Sequence, residues 1–254
     1  MTAVGWDAAT VLSLTEFEVA WEAAGLDETP WELDPPRLGR TWEERRGIVD
    51  AALASLAARG LVDDRRPVPR LAAALAVLDR RELSVDVRVH GATVVSAVAA
   101  RYRGRAVLAV RHDGEIALAE VAPTRLARAV LEVVGPVTAA RGRTVNVRPG
   151  DVEAAVGAAG GDPGSLVDEL VRRGVDPMDA ATYVAMHRDV DRHGVVGVCA
   201  GRRRAPWLIG LHRTSSGHVV RVRRPAGDGR DVLTVAPVDA AGLVRRIDEL
   251  IAAA

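Results

Sequence analysis

Two hundred and fifty-four residues, 48% apolar and 27% charged, describe an ordinary globular chain long enough to bury a substantial core. The 34 basic and 34 acidic residues cancel, so no overall field draws the chain to nucleic acid or to an anionic membrane. A single cysteine, Cys199, excludes an internal disulfide and any cysteine-cluster metal site.

Every basic residue is an arginine and glutamine is absent, a bias read as a GC-rich genome and not as arginine chemistry. Cys199 lies in the apolar stretch 195–200, where a small buried hydrophobe is its ordinary role. The opening Met1-Thr2-Ala3-Val4-Gly5-Trp6-Asp7 has neither the basic start nor the apolar core of a signal peptide. No apolar run approaches the ~18 residues of a membrane-spanning helix. The expectation is a soluble, cytoplasmic protein.

In chain order, residues 11–14 read as a short strand, and Thr15 opens a helix to residue 24 that Gly25 closes. A loop rich in proline and acids follows, carrying Trp31 and Pro35-Pro36. Thr41, with Glu44 three residues on, is a capping box for a helix to about residue 59. Pro67 and Pro69 start the next helix, to about residue 81, with Leu71, Leu75 and Leu78 at helical spacing. The period then becomes two: Leu83, Val85, Val87 and Val89 face one way, Ser84, Asp86, Arg88 and His90 the other. Strands over 93–102, 106–112 and 115–121 complete a meander whose short links, Arg103-Gly104-Arg105 and Asp113-Gly114, force antiparallel neighbours. A helix from Pro123 to about 134 closes the half.

The second half repeats the plan. A strand over 144–148 leads to helices ending at 159, over 165–173 and over 177–192. Strands near 195–203, 207–213, 219–224 and 232–236 follow, then a helix over 237–253. Ala122-Pro123 and its helix recur as Ala236-Pro237, an offset of 114 residues, which also maps Leu56-Ala57-Ala58-Arg59-Gly60 onto Leu170-Val171-Arg172-Arg173-Gly174. The region around Gly25 matches that around Gly160 at an offset of 135, so the first half holds 21 additional residues between Gly25 and Leu56. Such a duplication predicts two matching halves, 1–140 and 141–254, of a single domain. Bunched helices and bunched strands indicate α+β: a central, mainly antiparallel sheet with flanking helical bundles and pseudo-twofold symmetry.

Reactive chemistry is hard to find. The glycine-rich 157–164 lacks the lysine of a phosphate loop and follows a helix, so it reads as a helix cap and linker. His187 and His193 are six apart, not the i, i+4 of a helical metal pair; His112, His212 and His218 fall at strand ends. Ser96 has no glycine neighbours of the nucleophile-elbow kind. No catalytic residue, metal site or cofactor is expected.

Surfaces say more. Arg203, Arg221 and Arg223 cluster in the second meander, without the interleaved aromatics that single-stranded nucleic acid wants. They read as a solvated face or as a rim for an acidic partner. In the first meander Val107 and Ala109 are expected to point outward beside Ala117 and Ala119, a small apolar face flanked by Arg88, Arg105 and Arg111. Coverage of that face by the chain's own helices is an equal alternative.

The pattern resembles the EspG family of ESX (type VII) secretion-associated proteins of actinobacteria. The resemblance rests on Leu12-Ser13-Leu14-Thr15-Glu16-Phe17, Ala54-Ser55-Leu56-Ala57-Ala58-Arg59-Gly60-Leu61, Leu83-Ser84-Val85-Asp86-Val87-Arg88-Val89, and Asp231-Val232-Leu233-Thr234-Val235-Ala236-Pro237 with the terminal helix. It implies a cytosolic chaperone that binds the tip of a PPE protein within a PE–PPE heterodimer, shielding an apolar motif, on a fold of sheet and two helical bundles with quasi-twofold symmetry. Family contacts come from a loop between early strands, the central sheet and the C-terminal bundle. Here His90-Gly91-Ala92 and Arg103-Gly104-Arg105 are too short for a long gripping loop, which leaves another ESX substrate open as the partner.

The expected partner-binding residues are therefore Arg88, Val107, Ala109 and Arg111 in the first half and Arg203, Trp207, Ile209, Arg221 and Arg223 in the second. Trp207 and Ile209 serve as anchors or as core. No nucleic acid or membrane is expected as partner, and a homodimer is the state open to the unbound chain. The alternatives are an enzyme or small-molecule binder with a pocket between the halves, and weak nucleic-acid binding through the basic meander.

Overall fold

Ser13 turns the chain from strand to helix. Its hydroxyl accepts the Glu16 N–H at 3.1 Å while the Glu16 carboxylate accepts the Ser13 N–H at 2.8 Å, a reciprocal cap that starts α1 (Leu14–Ala23) directly after β1 (Thr10–Ser13). The computed structural model describes residues 9–35, 39–225 and 231–254; the expected N-terminal stretch and Pro36 of the proline-rich loop lie outside them. The described residues form two compact units, and each draws a short piece of chain from the other half of the sequence. The first comprises the described residues within 9–88, 93–135 and 198–204; the second, those within 89–92, 136–197 and 205–254.

In the first unit β1 and α1 are followed by α2 (Trp42–Ala58), a small hairpin of β2 (Val62–Asp63) and β3 (Arg66–Pro67), and α3 (Pro69–Asp79). Then come β4 (Leu83–His90), β5 (Val94–Tyr102), β6 (Arg105–His112), β7 (Glu115–Val121) and α4 (Leu126–Val134). Thr41 caps α2 as expected, but the Glu44 carboxylate reaches back to the N–H of Arg40, not to that of Thr41. The β6–β7 hairpin turns through Asp113 (φ 48°) and Gly114 (φ 83°), the left-handed pair that matches strand twist.

The sheet order is β1-β7-β6-β5-β4. Helices α1–α3 bury Phe17, Leu53, Leu56, Leu75 and Leu78 against Val98, Ala100, Val107, Ala109, Ile116 and Leu118 of one sheet face. The other face receives α4 on β5 and β6, through Leu126 and Val130. Strands covered on both sides read as continuous apolar runs, which is why residues 97–100 and 106–110 do not alternate. For the same reason Ser84 and Asp86 are buried along with the valines between them.

The second unit runs β8 (Val145–Val147), α5 (Pro149–Ala159), α6 (Pro163–Arg172) and α7 (Pro177–Ala185). It continues through β9 (Arg192–Ala200), β10 (Arg203–Arg204), β11 (Ile209–Thr214), β12 (Gly217–Pro225) and β13 (Asp231–Pro237) to α8 (Ala240–Ala252). Residues from Val198 to Arg204, the end of β9 and all of β10, belong to the first unit. Proline opens α5, α6 and α7, where its missing N–H costs nothing.

Pro123 and Pro237, in contrast, do not open helices. Pro123 sits in a turn closed by Arg125 N–H on the Ala122 carbonyl at 2.9 Å, and Pro237 ends β13 while Asp239 caps α8 through the Gly242 N–H at 2.7 Å. Helix α7 stops at Ala185, short of the expected 192, because β9 begins pairing with β11 at Arg192.

The sheet order here is β9-β11-β12-β13-β8, and α5–α7 pack on Val145, Val147, Val219, Leu233 and Val235. The two units thus share one connectivity: strand, three helices, four-stranded meander, helix, with the first strand antiparallel to the last strand of the meander. Most of the extra sequence of the first unit falls between α1 and α2, and the rest lengthens α2, 17 residues against the 10 of α6. Residues 24–41 make that connection, whereas residues 160–162 suffice between α5 and α6.

Candidate docking face

Alternation along β12 sends Arg221 and Arg223 to the face that carries α5–α7, beside Gly210 and Leu233 of the flanking strands. The three helices cover β8, β13 and Val219 but stop short of β9 and the entry to β11. What remains is a groove of about 510 Å³ walled by Val152 and Glu153 of α5, Val195 of β9, and Trp207 and Leu208 ahead of β11, with the two arginines at its floor. Leu208 and Val195 are 42% and 41% exposed, large apolar groups that the described residues do not cover.

The charges of this groove are unequally answered. Arg223 pairs with Asp231 at 2.6 Å and with Glu153 at 3.9 Å. Arg224 pairs with Glu249 at 3.4 Å and lies 4.2 Å over the Trp207 ring. Arg221 is half-buried, its Nε has no acceptor, and it has no carboxylate partner among the described residues. A row of rings runs alongside. His90 stacks on His193 at 5.0 Å, His193 is paired in register with His212, His212 meets His187 edge-on at 5.6 Å, and His187 stacks on Tyr183 at 4.2 Å. Burial, then Arg221 and the neighbouring imidazoles, push His212 down to about 4, so that imidazole is neutral at pH 7. Burial likewise lowers His187, whose Nδ1 donates to the Tyr183 carbonyl at 2.7 Å.

Three of the nine expected contact residues, Trp207, Arg221 and Arg223, line this groove. Ile209 does not; it is buried on the opposite face of β11. The remaining five belong to the first unit. Val107 and Ala109 are buried beneath α1–α3, so the helices cover that face, and the register sets Ala117 and Ala119 opposite Val110 and Leu108, on the other side of the sheet. Arg88 is exposed, with its Nε on the Ser96 hydroxyl at 3.1 Å, and Arg203 is exposed in β10. Arg111 grips the chain's own loop, donating to the carbonyls of Leu33 (3.0 Å) and Asp34 (2.7 Å) and to the Asp34 carboxylate (3.2 Å).

That loop is a feature the sequence hid. Leu33 is fully buried, Glu32 nearly so, with Arg81 at 3.3 Å, and the Trp21 indole donates to the Asp27 carbonyl at 2.8 Å. Burial raises the Glu32 carboxyl against the pull of Arg81. A hydroxyl–imidazole–carboxylate line does occur, Thr93 Oγ1 to His112 Nε2 at 3.2 Å and His112 Nδ1 to Asp113 at 3.2 Å. It lies on open hairpin turns with the Asp113 side chain 67% exposed, without the water-excluded setting that makes such a line a nucleophile. Among the described residues no cluster of three or more His, Cys, Asp or Glu is placed to hold a metal ion, and no helix is long and apolar enough to cross a membrane.

The geometry defines an α+β protein with an apolar, arginine-floored groove that the described residues leave uncovered. A sequence model of the EspG family matches residues 13–249, and the chain belongs to that family. EspG5 of Mycobacterium tuberculosis, a type VII secretion system chaperone solved in complex with the PE25–PPE41 dimer, has the same fold. The TM-score is 0.76 at 16% identity, over 97% of this chain and 96% of that one. HtdX of the same organism aligns at a TM-score of 0.17 and 11% identity, over 91% of this chain and 99% of its own. No curated protein sequence matches.

Proposed function

We propose that this chain is a secretion chaperone of an ESX (type VII) system. It holds a PPE-like protein, or a PE–PPE heterodimer, soluble in the cytoplasm and catalyses no reaction. Membership of the EspG family over residues 13–249 carries this reading. The fold shared with EspG5, which was solved holding PE25–PPE41, supports it. In this reading the chain is a single domain of two structural repeats, 1–140 and 141–254, and the contact surface is the groove of Trp207, Leu208, Arg221 and Arg223.

The mechanism is holding by burial. Covering apolar surface contributes about 25 cal/mol per Å² before the costs of association, so a standard interface of ~800 Å² per partner holds reversibly. Co-expressed with the PE–PPE pairs of its own genome, the chain is expected to co-purify with one of them as a soluble complex. A PPE protein that aggregates equally with and without it refutes the reading. Within the complex, Trp207→Ala and Leu208→Asp should each weaken binding about ten- to a hundredfold. Charge reversal at Arg221 and Arg223 that leaves the complex intact would move the contact elsewhere.

A further inference from the structure

The first unit contains a filled version of the second unit's groove. Strand registers put the two in correspondence, starting from the residue two places ahead of the first helix, Leu12 or Val147. One transverse row crosses β1, β7 and β6 as Leu12, Ile116 and Arg111, and its counterpart crosses β8, β13 and β12 as Val147, Leu233 and Arg223. The next row is Leu118, Ala109 and Val98 in the first unit and Val235, Arg221 and Gly210 in the second. Arg111 and Arg223 therefore hold the same place, as do Ala109 and Arg221.

Over these rows the first unit lays residues 30–34 of its own chain. Leu33 N–H closes a turn on the Pro30 carbonyl at 2.9 Å, and the Leu33 side chain is buried in one cluster with Phe17, Val98, Ala109 and Ile116. Arg111 takes the backbone oxygens of Leu33 and Asp34 and the Asp34 carboxylate. Among the described residues the second unit has no such segment, since α5 connects to α6 through residues 160–162 alone. Its groove is lined by the counterparts Val152, Gly210, Arg221, Arg223 and Leu233, and no described residue fills it.

One position differs in a telling way. Where the first unit has the methyl of Ala109, the second has the guanidinium of Arg221, without a carboxylate among the described residues. A guanidinium cannot discharge, so an occupant that is only apolar would strip water from a cation and leave it unanswered. A carboxylate replaces that water with two charge-assisted hydrogen bonds. Granting the docking reading above, we infer that the groove receives an apolar turn of a partner protein built like residues 30–34. A leucine-like side chain seats on Val152, Gly210 and Leu233, and an adjacent carboxylate meets Arg221.

The test is the peptide acetyl-Pro-Trp-Glu-Leu-Asp-amide, added to the full chain and followed through the His212 imidazole by NMR. Binding should raise the His212 pKa from about 4 as Arg221 is neutralised. Replacing the peptide's leucine by alanine, or its two acids by their amides, should each weaken binding at least fivefold. Arg221→Gln should erase the preference for acid over amide, and Arg221→Lys should keep part of it. Equal binding of acid and amide peptides, or no effect on His212 at millimolar peptide, overturns the inference. So does a PE–PPE complex whose affinity Arg221→Gln leaves within twofold, although the chaperone reading then stands. If the peptide binds as stated while no PE–PPE pair does, the chaperone reading falls and the inference stands.

Discussion

Glu16 does three jobs with one carboxylate. It caps α1, accepts the Ser55 hydroxyl at 2.8 Å and pairs with Arg59 at 3.1 Å, and Arg59 reaches on to the Val11 carbonyl. Burial works to raise its pKa, but the Ser13 N–H, the Ser55 hydroxyl and Arg59 outweigh it and hold the carboxyl below the usual range. The sign follows. Stability from Glu16 is present above the ordinary carboxylate pKa and is lost as pH falls through the lower, folded value. Glu16→Gln should therefore cost about 1–2 kcal/mol near pH 6 and progressively less toward pH 3, read from urea midpoints. From sequence this helix is expected to open at Thr15, whereas the structure starts it at Leu14 behind the Ser13 cap. The ties of Glu16 to Ser55 and Arg59 were not legible either, because they join residues some 40 positions apart through a fold that alternation does not specify.

At the scale of elements, period-two patterns, short links and the Asp113-Gly114 turn locate the meanders within a residue or two, except for β9, which runs over 192–200 where 195–203 was expected. What lies over each sheet face is another matter. Alternation distinguishes two faces but carries no information about which helix, or which loop, arrives to cover one. Val107, Ala109 and Arg111 look like an exposed patch until residues 27–35 and α1–α3 are in place. The loop itself depends on Arg111. Arg111→Met removes donors from two carbonyls and a carboxylate and should cost about 1.5–3 kcal/mol, with faster hydrogen exchange concentrated in residues 27–35. Unchanged exchange there would show that Leu33 and the Glu32–Arg81 pair hold the loop alone.

For the whole chain, the shared connectivity of the two units was legible because glycines that end helices, Gly60 and Gly174, and the Ala-Pro steps after the meanders fall at one spacing. The exchange of short segments was not, since nothing local in residues 198–204 marks them as part of the first unit. Arg204 within them pairs with the buried Asp86 at 3.1 Å. A fragment of residues 1–140 lacks that arginine and strands a buried carboxylate, a defect of several kcal/mol in a fold only marginally stable. Expressed alone it should be insoluble or unfolded, whereas co-expression with 141–254 should yield a soluble pair. A folded, monomeric 1–140 by circular dichroism and gel filtration would contradict this.

Granting the docking face proposed above, the loop at residues 27–35 bears on stoichiometry. Two equivalent open mouths would let one chain bridge two partners into networks. With Leu33 and Arg111 closing one from within, one partner per chain is the expected ratio, and trimming the loop to the length of its counterpart should add a second valence.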